Sequence, residues 1–356
     1  MQAEIPIESQ GVSCDAELEA GTVPPDLLRL LRSPLDGARL RPEPGALVAE
    51  GRGHRFSVAP GGIPLFAEAF CSAEGRIQQE HYDAIAAKYV ENLAYPHTET
   101  YMGYLDRALL DAVDRQALGT TAEVCCGSGE AFKLLGSSIG TGIGVDLSLN
   151  MLQTGRRKNP ARNLHFVQGD ATRLPLVDDA FDSVFMLGGI HHVGDRRALF
   201  SEIHRILKPG GHFYFREPLN DFWLWQALRA VIYRLSPTLD HRTERPLRWT
   251  ETVPALQTTG FQARLWQPVG LIGFCLFMNS DVLVVNRWFR FVPGIRSIVG
   301  AFCRLDERML RLRALMPAGL QVVGVAVKPE RPNSRDRITS ASGIPDRRRL
   351  LREGED

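Results

Sequence analysis

At 356 residues, with 44% hydrophobic and 23% charged positions, the chain has the composition of a folded globular protein, long enough for one full core with smaller attachments. A formal net charge of +1 gives no overall pull toward nucleic acid. The six cysteines, at positions 14, 71, 125, 126, 275 and 303, form no Cys-x-x-Cys pair; this argues against a zinc site and a disulfide framework and makes a reducing cytoplasm the expected setting.

Residues 1–23 are polar, with no basic flank followed by an apolar core, and read as a disordered tail without a secretory signal. From residue 24 to 72 the text changes, with Leu31-Arg-Ser-Pro-Leu35, Gly53-His-Arg-Phe56 and Gly61-Gly-Ile-Pro-Leu65. Residues 76–116 read as helices that carry Tyr82, Tyr89 and Tyr101, each either a pocket residue or an amphipathic packing residue.

The next hundred residues repeat strand and helix. Ala122-Glu-Val-Cys-Cys-Gly-Ser-Gly-Glu130 is a β-prone run that stops at Gly127 and Gly129, where glycines let backbone amides approach a ligand at a helix N-terminus. Thr141-Gly-Ile-Gly-Val-Asp146 ends in a carboxylate nineteen positions after Gly127, a spacing that suits a ribose diol. Leu164-His-Phe-Val-Gln-Gly-Asp170 leaves Asp170 at a strand tip, as a turn residue or as an acceptor for an exocyclic amine. Phe181-Asp-Ser-Val-Phe-Met-Leu187 opens into Gly188-Gly-Ile-His-His192 at the carboxyl end of the sheet, where ligands of such folds gather. A helix over 196–207 presents Leu199, Ile203, Ile206 and Leu207 on one face, and Lys208-Pro-Gly-Gly211 turns the chain into the strand Phe213-Tyr-Phe215.

On these ordered motifs, residues 76 to about 267 resemble a class I S-adenosylmethionine-dependent methyltransferase of the ubiquinone/menaquinone C-methyltransferase-like type. The resemblance implies a doubly wound, Rossmann-like α/β fold with a seven-stranded, mostly parallel sheet over 76–328. It implies S-adenosylmethionine as cofactor, with Glu123, Cys125, Gly127, Ser128 and Gly129 around its methionine part and Asp146, followed by Leu147, on the ribose. Asp170 with Ala171 would face the adenine, Met151 would pack near it, and Gly169 and Leu187 complete the expected cofactor-binding set. Cys125 departs from the family, which usually has glycine there. The segment 24–72 resembles a small zinc-ribbon-like domain in which Arg32-Ser-Pro-Leu35 replaces the Cys-Pro-x-Cys knuckle, so no metal is expected.

Beyond Glu217 the chain exceeds a minimal enzyme of this kind. Insertions are expected at 219–250 and 269–318, the second separating strands at 261–266 and 320–327. Its apolar content admits three readings: extra core, a hydrophobic substrate cap, or a surface resting on a membrane. Its uncharged run of about 16 residues is too short for a transmembrane span. In the cap reading Tyr82, Tyr101, Trp223, Trp225, Phe274 and Phe277 line an acceptor chamber. Residues 329–356 are polar and arginine-rich and read as a second disordered tail.

An activated methyl group needs alignment of the acceptor and, for a hydroxyl or acidic carbon, removal of a proton. His191 and His192 are the candidate bases by position, with solvated loop histidines as the alternative; Glu217 is the backup base or a polar contact to the acceptor. The expected function is methyl transfer to oxygen or carbon of a small, hydrophobic or lipid-like acceptor. The enzyme would be cytoplasmic, with possible contact at the inner face of the membrane. RNA methylation and an inactive cofactor-binding subunit are the alternatives; Leu187-Gly-Gly-Ile190 stands where base-directed enzymes commonly carry Asn/Asp-Pro-Pro-aromatic.

Overall fold

The computed structural model describes residues 22–77, 79, 94–227, 245–278 and 284–330. Tyr82, Tyr89 and most of both expected tails lie outside the described residues.

The main sheet has seven strands, in the spatial order Gln262–Val269, Gln321–Val327, Leu207–Pro218, Phe181–Leu187, Thr120–Val124, Thr141–Asp146 and Leu164–Gln168. Parallel strands β5 (Thr120–Val124), β6 (Thr141–Asp146) and β7 (Leu164–Gln168) run outward one way. The chain then crosses back to place β8 (Phe181–Leu187) and β9 (Leu207–Pro218) on the other side of β5. Between β5 and β8 the winding reverses, which opens a crevice at the carboxyl ends of the strands. Strands β10 (Gln262–Val269) and β11 (Gln321–Val327) finish the sheet, with β11 antiparallel to both neighbours. The near-continuous burial of β5, β7 and β8 is what a sheet covered on both faces demands.

Ahead of this sheet lie a short helix α1 (Pro25–Leu28) and four antiparallel strands, β1 (Leu40–Glu43), β2 (Ala46–Ala49), β3 (Arg55–Ala59) and β4 (Ile63–Pro64). The small sheet caps the free edge of β7: the Phe66 amide donates to the Gln168 carbonyl at 2.9 Å, and Asp26 meets the buried His165 at 2.9 Å. An otherwise open edge is thereby covered.

Helices occupy both faces. On one face α2 (Pro96–Ala112), α3 (Glu130–Leu135) and α4 (Leu149–Lys158) pack; on the other lie α5 (Arg196–Ile206) and α6 (Trp249–Thr258), with α1. Asp195 caps α5 by accepting from the Ala198 amide at 2.9 Å, and Leu199, Phe200, Ile203 and Ile206 are its buried stripe.

Both insertions leave from the carboxyl end of the sheet, since Val269 and Pro218 are each register partners of Gln321. The second folds into α7 (Ile272–Phe277), a 3-10 turn at Val284–Phe291 and α8 (Ile295–Leu310), which pack on α2 and on the outer strands. One buried carboxylate fastens it: Asp306 of α8 accepts from the Tyr101 hydroxyl at 2.8 Å and from the amides of Leu271 and Ile272 at 3.0 and 2.9 Å. Those amides begin α7, so Asp306 caps that helix from a distance. Tyr101, Phe274 and Phe277 are consequently packed in core, with Tyr101 and Phe277 ring centroids 6.5 Å apart, where the cap reading had them lining an open chamber. Trp223 is exposed and Trp225 is half-buried against the same cluster.

Candidate active site

The crevice is built from four strand ends. After β5 the chain must bend sharply into α3, and it does so with Cys125, Gly127 and Gly129 all at positive φ, of 52°, 50° and 81°. For the two glycines this is free; for Cys125 the left-handed conformation costs roughly 1–2 kcal/mol. Gly189 makes the residue possible, because a side chain at 189 would begin 2.6 Å from the Cys125 Cβ. Cysteine in the glycine position is thus accommodated by a glycine on the facing loop.

Glu123, buried near the end of β5, accepts from the amides of Ala131 and Phe132 at 2.8 and 3.4 Å and so caps α3 from within. Burial, opposed by those amides, pushes its carboxyl up to about 8. Asp146 ends β6 and reaches across to the loop: its two oxygens accept from the amides of Gly127 and Ser148 at 2.8 and 2.9 Å. Met151 closes in behind, since a Cβ on Gly127 would lie 3.3 Å from its terminal methyl. Ser128 presents its carbonyl to Asn159 at 3.1 Å, and the Leu147 carbonyl accepts from Gln168 at 2.9 Å. Gly169 packs tightly against Val145 and Pro175, where a Cβ would lie 3.1–3.3 Å from their side chains, and is followed by Asp170 and the buried Ala171.

Asp170 differs from a free acceptor. Its Oδ2 takes both the amide and the hydroxyl of Ser72, and its Oδ1 takes both from Thr172. Ser72 begins a helical turn at residues 73–77, which lies over Leu147 and Asp170 through Gly75 and reaches the far side of the crevice, where the Glu74 carboxylate lies against Gly194. Sequence reading missed Ser72; its only signal was a serine before a short helix.

At the end of β8 the half-buried Leu187 leads to a 3-10 turn at Ile190–His192. Glu217, wholly buried on β9, receives the amides of Gly189 and Ile190 at 2.7 and 2.8 Å and the Nδ1 of His191 at 2.8 Å. As a carboxylate Glu217 can only accept, so Nδ1 of His191 donates, and in the neutral ring Nε2 is left as an acceptor. Glu217, expected as the backup base, thus holds the imidazole of His191 through its Nδ1. The His191 carbonyl accepts from the Arg245 amide at 2.8 Å, and the rings of His191 and His192 stand 3.8 Å apart.

Arg216, next to Glu217 and facing the other side of the sheet, was also missed. Its guanidinium is buried between Asp106 of α2 at 2.5 Å and Glu130 of α3 at 2.8 Å. These carboxylates hold it charged against burial, with its pKa above the usual arginine range. The ion triad ties α2 to the first residue after the glycine loop.

Electrostatically the crevice is acidic. Burial, with Asp146, Asp170 and Glu217 around it, pushes the Cys125 thiol well above its ordinary range. Such a ring favours a cationic ligand. The tight glycine loop, the carboxylate at the tip of the second strand and this charge together fit an adenosyl sulfonium. Among the described residues no cluster of His, Cys, Asp and Glu is placed to hold a metal ion.

Comparison with known proteins agrees with this geometry. Residues 122–215 match the family described as "Methyltransferase domain". A demethylmenaquinone methyltransferase of Staphylococcus saprophyticus is 44% identical over 93 residues, covering 25% of this chain and 40% of the relative. That of Staphylococcus aureus strain JH9 is 42% identical over 98 residues, covering 26% and 41%. The chain thus spans about two-fifths of the length of these curated relatives. Among solved structures, a chain of the complex between the Haloferax volcanii Trm112 methyltransferase activator and a methyltransferase matches with 21% identity and a TM-score of 0.48, covering 72% of this chain and 99% of that one. The protein carries a class I S-adenosylmethionine-dependent methyltransferase domain.

Proposed function

We propose that this protein transfers a methyl group from S-adenosylmethionine to an oxygen or acidic carbon of a small hydrophobic acceptor, with His191 as the general base. When bound, the cofactor supplies an activated methyl group. Everything else falls to the chain. The glycine loop and Asp146 orient the ligand, Glu217 fixes the tautomer of His191, and Nε2 of His191 takes the acceptor's proton. The observation that carries this reading is the buried Glu217 placed 2.8 Å from His191 Nδ1 at the mouth of the crevice, since a solvated loop histidine would have no such partner. The relatives' name supports an acceptor of the quinone class. A cytoplasmic setting, near the inner face of a membrane that holds such acceptors, belongs to the same reading.

The test is incubation of the full chain with cell extract and deuteromethyl-labelled cofactor, followed by untargeted mass spectrometry. A labelled organic-phase product is expected. Label in RNA alone would favour an RNA methyltransferase, and cofactor binding without label in any fraction would favour an inactive, modulating subunit.

A further inference from the structure

The exposed aromatics of the second insertion stand on a rigid base. The 3-10 turn at Val284–Phe291 turns Phe289 inward, against His97 at 5.9 Å and Phe277 at 5.7 Å between ring centroids. Its neighbours Trp288 and Phe291 point out, 59% and 62% exposed. Each carries an arginine on its face, Arg287 over Trp288 at 5.6 Å and Arg290 over Phe291 at 4.7 Å. Helix α8 continues the surface. Ile295, Val299, Cys303, Asp306 and Leu310 are its buried stripe, yet Ile298, Ala301 and Leu305, spaced i, i+3, i+7, form a second apolar stripe that is exposed. Arg304 and Arg308 flank that stripe and are exposed too.

Residues 284–315 hold seven arginines against two acids, Asp306 and Glu307, of which Asp306 is buried. In a chain of net charge +1 this is a strong local excess. A protein–protein interface segregates an apolar centre from a polar rim. Here arginine is interleaved with every exposed apolar group, so each buried ring would carry a cation into the contact. A lipid headgroup layer accepts that arrangement, with rings at the acyl boundary and guanidinium groups snorkelling to phosphates. Among the described residues no helix is long and apolar enough to cross a membrane, so contact would be in the plane of the surface.

We infer that the face formed by Trp288, Phe291, Ile298 and Leu305 docks the protein on an anionic lipid bilayer. Since the insertion leaves and re-enters the sheet at its carboxyl end, this face and the crevice belong to the same end of the chain's fold, and docking would bring the site to an acceptor dissolved in the bilayer. The choice of acceptor rests on the proposed function; the docking itself does not.

The experiment is co-sedimentation of the full chain with vesicles of phosphatidylcholine alone and of phosphatidylcholine with phosphatidylglycerol, alongside cofactor binding in solution. Binding to the anionic vesicles is expected, at least about tenfold tighter than to neutral ones and weakened by salt. The double variant Trp288→Ala/Phe291→Ala should lose about tenfold or more, and Arg290→Gln about fivefold. Ile298→Glu is a second, independently folded check, and all variants should keep their cofactor affinity. Failure to bind either vesicle, or vesicle binding indifferent to these substitutions, overturns the inference. So does concentration-dependent self-association through the same residues without vesicle binding, which would assign the face to a second copy. Vesicle binding with no cofactor binding would instead sink the proposed function and leave the docking face standing.

Discussion

Ser72 donates twice to one oxygen of Asp170, from its amide at 2.8 Å and from its hydroxyl at 2.7 Å. The same hydroxyl accepts from the Gly75 amide at 3.1 Å and so caps the helical turn over the crevice. The carboxylate at the third strand tip therefore anchors the segment that lies over Leu147.

Removing that hydroxyl should loosen the cover. Ser72→Ala takes away an N-cap, worth about 1 kcal/mol, which is about fivefold in an opening equilibrium. Faster amide exchange at residues 73–77 and cofactor dissociation accelerated about fivefold are expected. Unchanged exchange in hydrogen–deuterium mass spectrometry would show that Ser72 does not hold the turn.

The pairing of His191 with Glu217 gives a sharper test. In Glu217→Gln the amide oxygen can still accept from Gly189 and Ile190, but its NH₂ then faces His191 Nδ1 and forces the proton onto Nε2. The base is lost while the turn survives. Turnover should fall about 10²-fold or more, as in His191→Ala, with cofactor affinity unchanged. Nitrogen-15 spectra of the imidazole would show the tautomer reversed; a variant with normal turnover would remove His191 as the base and turn attention to His192.

Arg216 is a stability residue. Replacing it by Met leaves Asp106 and Glu130 facing each other without a cation, a loss expected to cost about 3–5 kcal/mol. Urea denaturation should show a correspondingly lower midpoint. A variant as stable as the parent would mean that the two carboxylates find other partners.

Acid should weaken the fold through its histidines. His97 is buried against Tyr95, Phe277 and Phe289, and burial holds its imidazole below the ordinary 6.5. Burial likewise lowers His165, His204 and His212. Below 6.5 the unfolded chain takes up protons that the folded one refuses, so stability is full above that value and falls as pH drops toward the folded pKa values. A melting temperature that declines from pH 7 to about pH 5.5 is expected. His97→Phe should make the decline shallower, without abolishing it, because the other three histidines still contribute. An identical slope in the variant would mean that His97 takes up its proton as readily in the fold as in the unfolded chain.

The order of strands, the glycine loop and the three acidic strand tips were legible because each is set within a few residues. Alternation marks the strand at Leu164–Gln168, a short apolar run marks the one at Phe181–Leu187, and the sharp bend after β5 takes glycine at 127 and 129. What the side chains do once there was decided by residues far away in the chain. Glu217 lies 26 positions from His191 and Arg216 lies 110 from Asp106, and only the register of β8 with β9 and the packing of α2 bring them together. Asp170 was readable as a tip carboxylate but not as the anchor of Ser72, 98 residues earlier. The insertion shows the same division. Its apolar content was plain from composition, yet periodicity cannot say which of two stripes on α8 faces inward. That was settled by Asp306, whose carboxylate, buried among the amides at the start of α7 and the hydroxyl of Tyr101, fixes one stripe against the core and leaves the other in the open.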